Sequence, residues 1–180
     1  MRSPMRLLIL ICPMLLFVTS CGEGSDQRAA EPSVVETNPY GGVDVPPPAP
    51  DERILKVARG ELVLEFSLND LRKLQLVEET VFEPFVKRTM TFVGVPMSVL
   101  FDAAGIKGSD EVFTIALNEY TYSNMAEEFV GTDAFVAFEQ NGALIPMSEG
   151  GPIRIIIPNG RRLTNNLDIW NWSLAEIRVE

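Results

Sequence analysis

Glycine and proline break the apolar segments of this chain at short intervals from Arg53 onward, and that punctuation bounds the fold more tightly than any other feature. Gly60 separates "ILKVAR" from "ELVLEF", Pro84 interrupts "ETVFEPFVKRTMTFVG", Gly94-Val95-Pro96 precedes "MSVLFDAAG", and "IRIII" lies between Gly150-Gly151-Pro152 and Pro158-Asn159-Gly160. Segments this short, rich in β-branched and aromatic residues, predict strands rather than long helices. Helical spacing appears twice. In "SLNDLRKLQL" Ser67 is placed to cap a helix carrying Leu68, Leu71 and Leu74, and in "PMSVLFDAAG" Pro96 suits a first turn, Met97, Leu100, Phe101 and Ala104 form a stripe, and Gly105 stops it. "MAEEF" reads as one further helical turn, "EVFTIALNEYTYS" as a strand leaving into a polar turn, Asn141-Gly142 as a hairpin connection, and "SLAEIRVE" as a closing strand. The fold class is α+β, with mixed or antiparallel sheets and two or three short helices.

The first 21 residues belong to a different problem. "MRSPMRLLILICPMLLFVTSC" has arginines at 2 and 6, an apolar stretch from Leu7 to Val18, and small residues before Cys21. The apolar run is short for a membrane span and matches a signal-peptide core. Val18-Thr19-Ser20-Cys21 resembles a bacterial lipobox, in which cleavage leaves a lipid-modified cysteine as the new first residue. Residues 1–20 are thus expected to be a lipoprotein signal peptide. Residues 21–52, rich in Gly, Pro, Ser and acids, are expected to be lipidated Cys21 and a disordered tether, and residues 53–180 the folded domain. That places the protein in a bacterial cell envelope, anchored to the membrane by acyl chains, and on the periplasmic face of the outer membrane in a two-membrane cell.

The same assignment removes most catalytic chemistry. The chain has two cysteines, 12 and 21, and no histidine, so a chain beginning at lipidated Cys21 has no free thiol and no imidazole. The usual zinc, haem, copper and iron-sulfur ligand sets and histidine-based triads are excluded, and no glycine-rich phosphate loop is present. With a net charge of -10 and no long basic run, nucleic acid is excluded as a partner. The polar features that remain are "NEYTY", "SEGGPIR" and "PNGRR". Asn118 is placed to end a strand or meet a ligand, Tyr120 and Tyr122 to line a pocket, and Arg161 and Arg162 to hold an anion or to stand in solvent.

In order, "FVGVPMSVLFDAAGI", "ALNEY", "QNGALIPMSEGGPIRIIIP" and "IWNWSLAEIRVE" resemble the oxidoreductase molybdopterin-binding domain, the fold of the sulfite oxidase catalytic core, in its short exported versions. The resemblance covers residues 54–180. It implies a molybdopterin cofactor whose metal is held by a cysteine thiolate just upstream of the Gly-Val-Pro turn. In this chain that segment, Val77 to Met90, contains no cysteine, and Arg88, Arg154, Arg161 and Arg162 are the only stand-ins for the family's cofactor-binding basic residues. Two readings follow. The leading one is a non-catalytic domain, without cofactor, whose former cofactor face, around Asn118, Tyr120, Tyr122 and Arg154, binds a small ligand or an envelope partner protein. The alternative is a molybdopterin-dependent oxidoreductase whose metal has no protein thiolate.

Overall fold

The computed structural model describes residues 45–180. The expected signal peptide, Cys21 and the tether up to residue 44 lie outside the described residues. Ten strands and three short helices follow one another: β1 (Arg53–Arg59), β2 (Leu62–Ser67), α1 (Leu68–Leu71), β3 (Val77–Glu83), β4 (Arg88–Pro96), α2 (Met97–Ala104), β5 (Glu111–Ala116), β6 (Thr121–Met125), α3 (Ala126–Gly131), β7 (Phe135–Gln140), β8 (Ala143–Leu144), β9 (Arg154–Ile156) and β10 (Leu174–Val179). Strands dominate, as the punctuation implies.

Two sheets result. The first runs β2-β1-β10-β5-β6, with β1 and β10 parallel and its other pairs antiparallel. The second runs β3-β4-β7, and the far edge of β7 is shared end to end by β8, at Glu139 and Gln140, and β9, at Phe135 to Ala137. Because β7 is covered on both faces, its sequence "FVAFEQ" reads as a continuous apolar run rather than an alternating one. Helix α2 packs against β1 and β2 of one sheet and β4 of the other, which joins both into a single core. Its stripe Met97, Leu100, Phe101 and Ala104 is buried, and Gly105 ends it at φ 68°.

Local chemistry accounts for the boundaries. Ser67 and Asp70 form a reciprocal capping box on α1, and the Ser67 bonds, ahead of Lys73, hold the Asp70 carboxyl well below the usual carboxylate range. The helix nevertheless stops after one turn, short of the spacing carried to Leu74, which is half-buried beyond it. Asn141 and Gly142, at φ 50° and 82°, turn β7 into β8. The stretch "TYS", expected as part of a polar turn, is strand: Tyr122 and Ser123 pair with Thr114 and Phe113. Ahead of β1, Pro46 to Pro48 line a hollow with Ile54 and Met147, and Asn69 ties the chain down through Pro50 O (3.0 Å) and Asp51 Oδ1 (2.9 Å).

Gly94 marks a close approach of backbones. At the register shift between Val93 and Gly94, a Cβ on Gly94 would stand 2.2 Å from the Val136 carbonyl oxygen and 2.6 Å from the Ala137 Cα. Neither atom can swing aside, since both are main chain of the central strand. Gly94→Ala is therefore expected to cost about 3 kcal/mol or more in chemical denaturation, from overpacking. Gly60→Ala, in open space at φ 56°, is expected to cost only about 1–2 kcal/mol.

Candidate functional site

Three backbone crossings build one face of the domain. Leu174 N donates to Ile153 O (2.9 Å), Ser173 N to Gly150 O (2.7 Å), and Leu117 N to Ser173 O (2.9 Å). The segments 150–153, 171–174 and 116–118 are thereby held side by side. Above them open two adjoining hollows of about 330 and 440 Å³ that meet at Asn118 and Trp172. The first is walled by Phe85, Tyr120, Leu167, Asp168, Trp170 and Asn171. These volumes suit a small ligand or one side chain of a partner.

Each wall is fixed by its own local bonds. Asn118 Oδ1 accepts from Tyr120 N (3.1 Å) and Glu119 turns the chain at φ 67°, so the Asn118 side chain makes the turn that presents Tyr120. Tyr120 then donates its hydroxyl to Asp168 O (3.3 Å), joining that turn to the opposite wall. Partial burial, and after it the Asp168 charge, raise the Tyr120 phenol above its ordinary value and keep it protonated at neutral pH. Asn166 caps the short turn at Leu167–Ile169, and Trp170 Nε1 donates to Thr164 O (3.2 Å).

Beneath Trp172 lies a fully buried ion pair. Arg154 Nη2 donates to Glu83 Oε1 at 2.8 Å, and both side chains are 0% exposed. The second oxygen, Glu83 Oε2, accepts from Phe85 N (2.8 Å) and Val86 N (2.7 Å). Arg154 Cζ sits 4.5 Å from the Trp172 ring centroid, and the Phe85 ring meets Trp172 edge-on at 4.7 Å. The contacts close a ring: Glu83 holds Arg154 and the Phe85 backbone, and Arg154 and Phe85 both hold Trp172.

The sequence-predicted residues are only partly brought together. Asn118 and Tyr120 line the cleft. Tyr122 does not line it; its ring packs on Phe129 and its hydroxyl accepts from Asn124 (3.1 Å) and Asn166 (3.3 Å). Arg154 lies beneath Trp172 with its charge taken by Glu83. Arg161 and Arg162 pair with Asp133 and Glu128 and line neither hollow. Glu83 escaped the sequence reading, although alternation along β3 carries its signal: Val81 is buried and Phe82 is 49% exposed, so Glu83 returns to the inner face. Asp168 and Asn171 had no such signal, because no periodic element carries them.

The comparisons with known proteins agree with this architecture. The family model for the oxidoreductase molybdopterin binding domain matches residues 44–161. Among solved structures, the sulfane dehydrogenase SoxCD from Paracoccus pantotrophus is similar at 19% identity with a TM-score of 0.58, covering 77% of this chain. The chain spans 40% of that structure. A search of curated proteins found no match. Trp170 and Trp172 lie beyond the matched residues, so the cleft is walled partly by the closing segment.

Glu83→Leu, which strands the buried Arg154 charge, is expected to destabilise the domain by about 3–5 kcal/mol in denaturant unfolding. The double change Glu83→Leu with Arg154→Met is expected to recover most of that loss.

Proposed function

Since this chain belongs to the oxidoreductase molybdopterin binding domain family, we propose that it uses the family scaffold as a non-catalytic binding domain, lipid-anchored at Cys21 in the bacterial envelope, with the Phe85–Tyr120–Trp172 cleft as its binding face. The occupant is a small ligand or a side chain of an envelope partner protein. The observation that carries this reading is the buried Glu83–Arg154 pair. A cation that could have met an anionic cofactor is neutralised beneath the cleft floor, and no other cation lines either hollow.

The donor set does not fit a molybdenum pterin. The described residues contain no cysteine and no histidine, and among them no cluster of three or more acids is placed to hold a metal ion. An anionic pterin would also meet Asp168, the one charged residue lining the first hollow, with the wrong sign. Three aromatic rings, Tyr120, Trp170 and Trp172, together with Phe85, instead favour a ligand with an apolar or π-bonding body. The alternative, an oxidoreductase whose metal is held by pterin sulfurs and oxygen ligands, draws on the family match and meets this mismatch.

The full chain, produced in bacterial cells that synthesise molybdopterin, tests the reading. Elemental analysis for molybdenum and fluorescence of the oxidised pterin are expected to find neither near one per chain. Near-stoichiometric metal and pterin would overturn it. The anchor is tested separately by metabolic labelling with palmitate: the wild-type chain is expected to carry label and sediment with membranes, and Cys21→Ala to lose both. Label retained by Cys21→Ala would contradict lipidation at that residue.

A further inference from the structure

The cleft also specifies the sign and hydrogen-bonding character of what it takes. Asn171 is 2% exposed and lines the first hollow. Its Nδ2 donates to the Thr114 carbonyl oxygen (2.9 Å) and lies 3.2 Å from Thr114 Oγ1. A carbonyl oxygen only accepts, so the orientation of the amide is settled by chemistry and its Oδ1 is turned away from Thr114. That oxygen is shielded from water and has no hydrogen-bond partner among the described residues. A buried acceptor left without a donor costs stability.

Two further observations give the sign. Asp168 contributes the only formal charge lining the hollow, and no cation among the described residues pairs with it. Phe85, Tyr120, Trp170 and Trp172 surround the same space, and aromatic rings attract cations through their quadrupole while their carbon surface accommodates a methylene stem. Arg154 lies against Trp172 but carries Glu83 at 2.8 Å, so the pair presents no net positive charge to oppose a bound cation. The chain's net charge of -10 draws cations toward it as well.

Resting on the reading of this face as a ligand cleft, we infer that it binds a positively charged N–H donor, an alkylammonium or guanidinium group, with its N–H groups and charge beside the Asp168 carboxylate and the carbon stem among the aromatic rings. The group belongs to a free amine or to a lysine or arginine side chain of a partner.

The two tryptophans of the chain both line the cleft, so intrinsic tryptophan fluorescence of the full chain reports on this site alone. Titration at low ionic strength with butylammonium and butylguanidinium is expected to give saturable changes. Butyrate and butanol, of the same skeleton, are expected to give none over the same range, and tetramethylammonium, which has no N–H, to bind more weakly. Asp168→Asn, at an exposed side chain, is expected to weaken butylammonium by roughly five- to tenfold. Capped Gly-Lys-Gly and Gly-Arg-Gly peptides separate the sources: tighter binding than the free amines assigns the group to a partner's side chain, weaker binding to a free amine. Butanol or butyrate binding as tightly as butylammonium, an Asp168→Asn variant with unchanged affinity, or no response to any probe would each overturn the inference. Binding of butanol alone would leave the ligand-cleft reading standing, whereas stoichiometric molybdenum in the same preparation would remove that reading itself.

Discussion

A single carboxylate, Glu83, organises the candidate functional face. Burying it would be costly in isolation, and the structure meets that cost with three donors: the Arg154 guanidinium and the backbone N–H groups of Phe85 and Val86. The consequence is positional as well as electrostatic. The turn that carries Phe85 and the strand that carries Arg154 are locked to one another, and Trp172 is held between their side chains. Walls of the cleft that come from residues 85 and 172, far apart in the chain, are therefore held in a fixed relation by the protein's own contacts.

The rest of the domain serves that arrangement. Close passage of β4 over β7 at Gly94 sets the β3–β4 hairpin, and with it Glu83, against the central strand. The β9 strand pairs on the other side of β7 and delivers Arg154 at Ala137. From the first sheet, the closing segment returns to place Asn171 on Thr114 of β5. The site thus sits where the two sheets meet, and its residues come from the ends of strands and the turns that join them, where side chains are fixed by the scaffold yet still reach solvent.

Much of this was legible in the residues. The stripe from Met97 to Ala104, the Gly105 stop, the Asn141-Gly142 turn and the hairpin around Gly60 all follow from local rules that tertiary packing did not override. The length of α1 was not, because one turn suffices once its cap and Leu71 are satisfied. Nor was the strand at Tyr122, whose polar neighbours look like a turn until β5 supplies a partner. For the site, Asn118 and Tyr120 could be found because turn chemistry announces itself. Arg154 could be found but its role could not, since its charge is cancelled by a residue 71 positions away. Asp168 and Asn171 become visible only when the closing segment is folded against Thr114.

The shared scaffold and the proposed change of chemistry are compatible because a fold constrains where a site lies more than what it binds. Here the fold is the family's, and the cleft lining is aromatic and acidic. The central claim is that Arg154 is withdrawn from the cleft by Glu83, and it is tested most directly by nuclear magnetic resonance of the Arg154 side-chain N–H groups while molybdate or phosphate is added. Protected resonances that do not move with either anion are the expected result. Saturable shifts of those resonances would show that Arg154 is available to an anion and would contradict the claim.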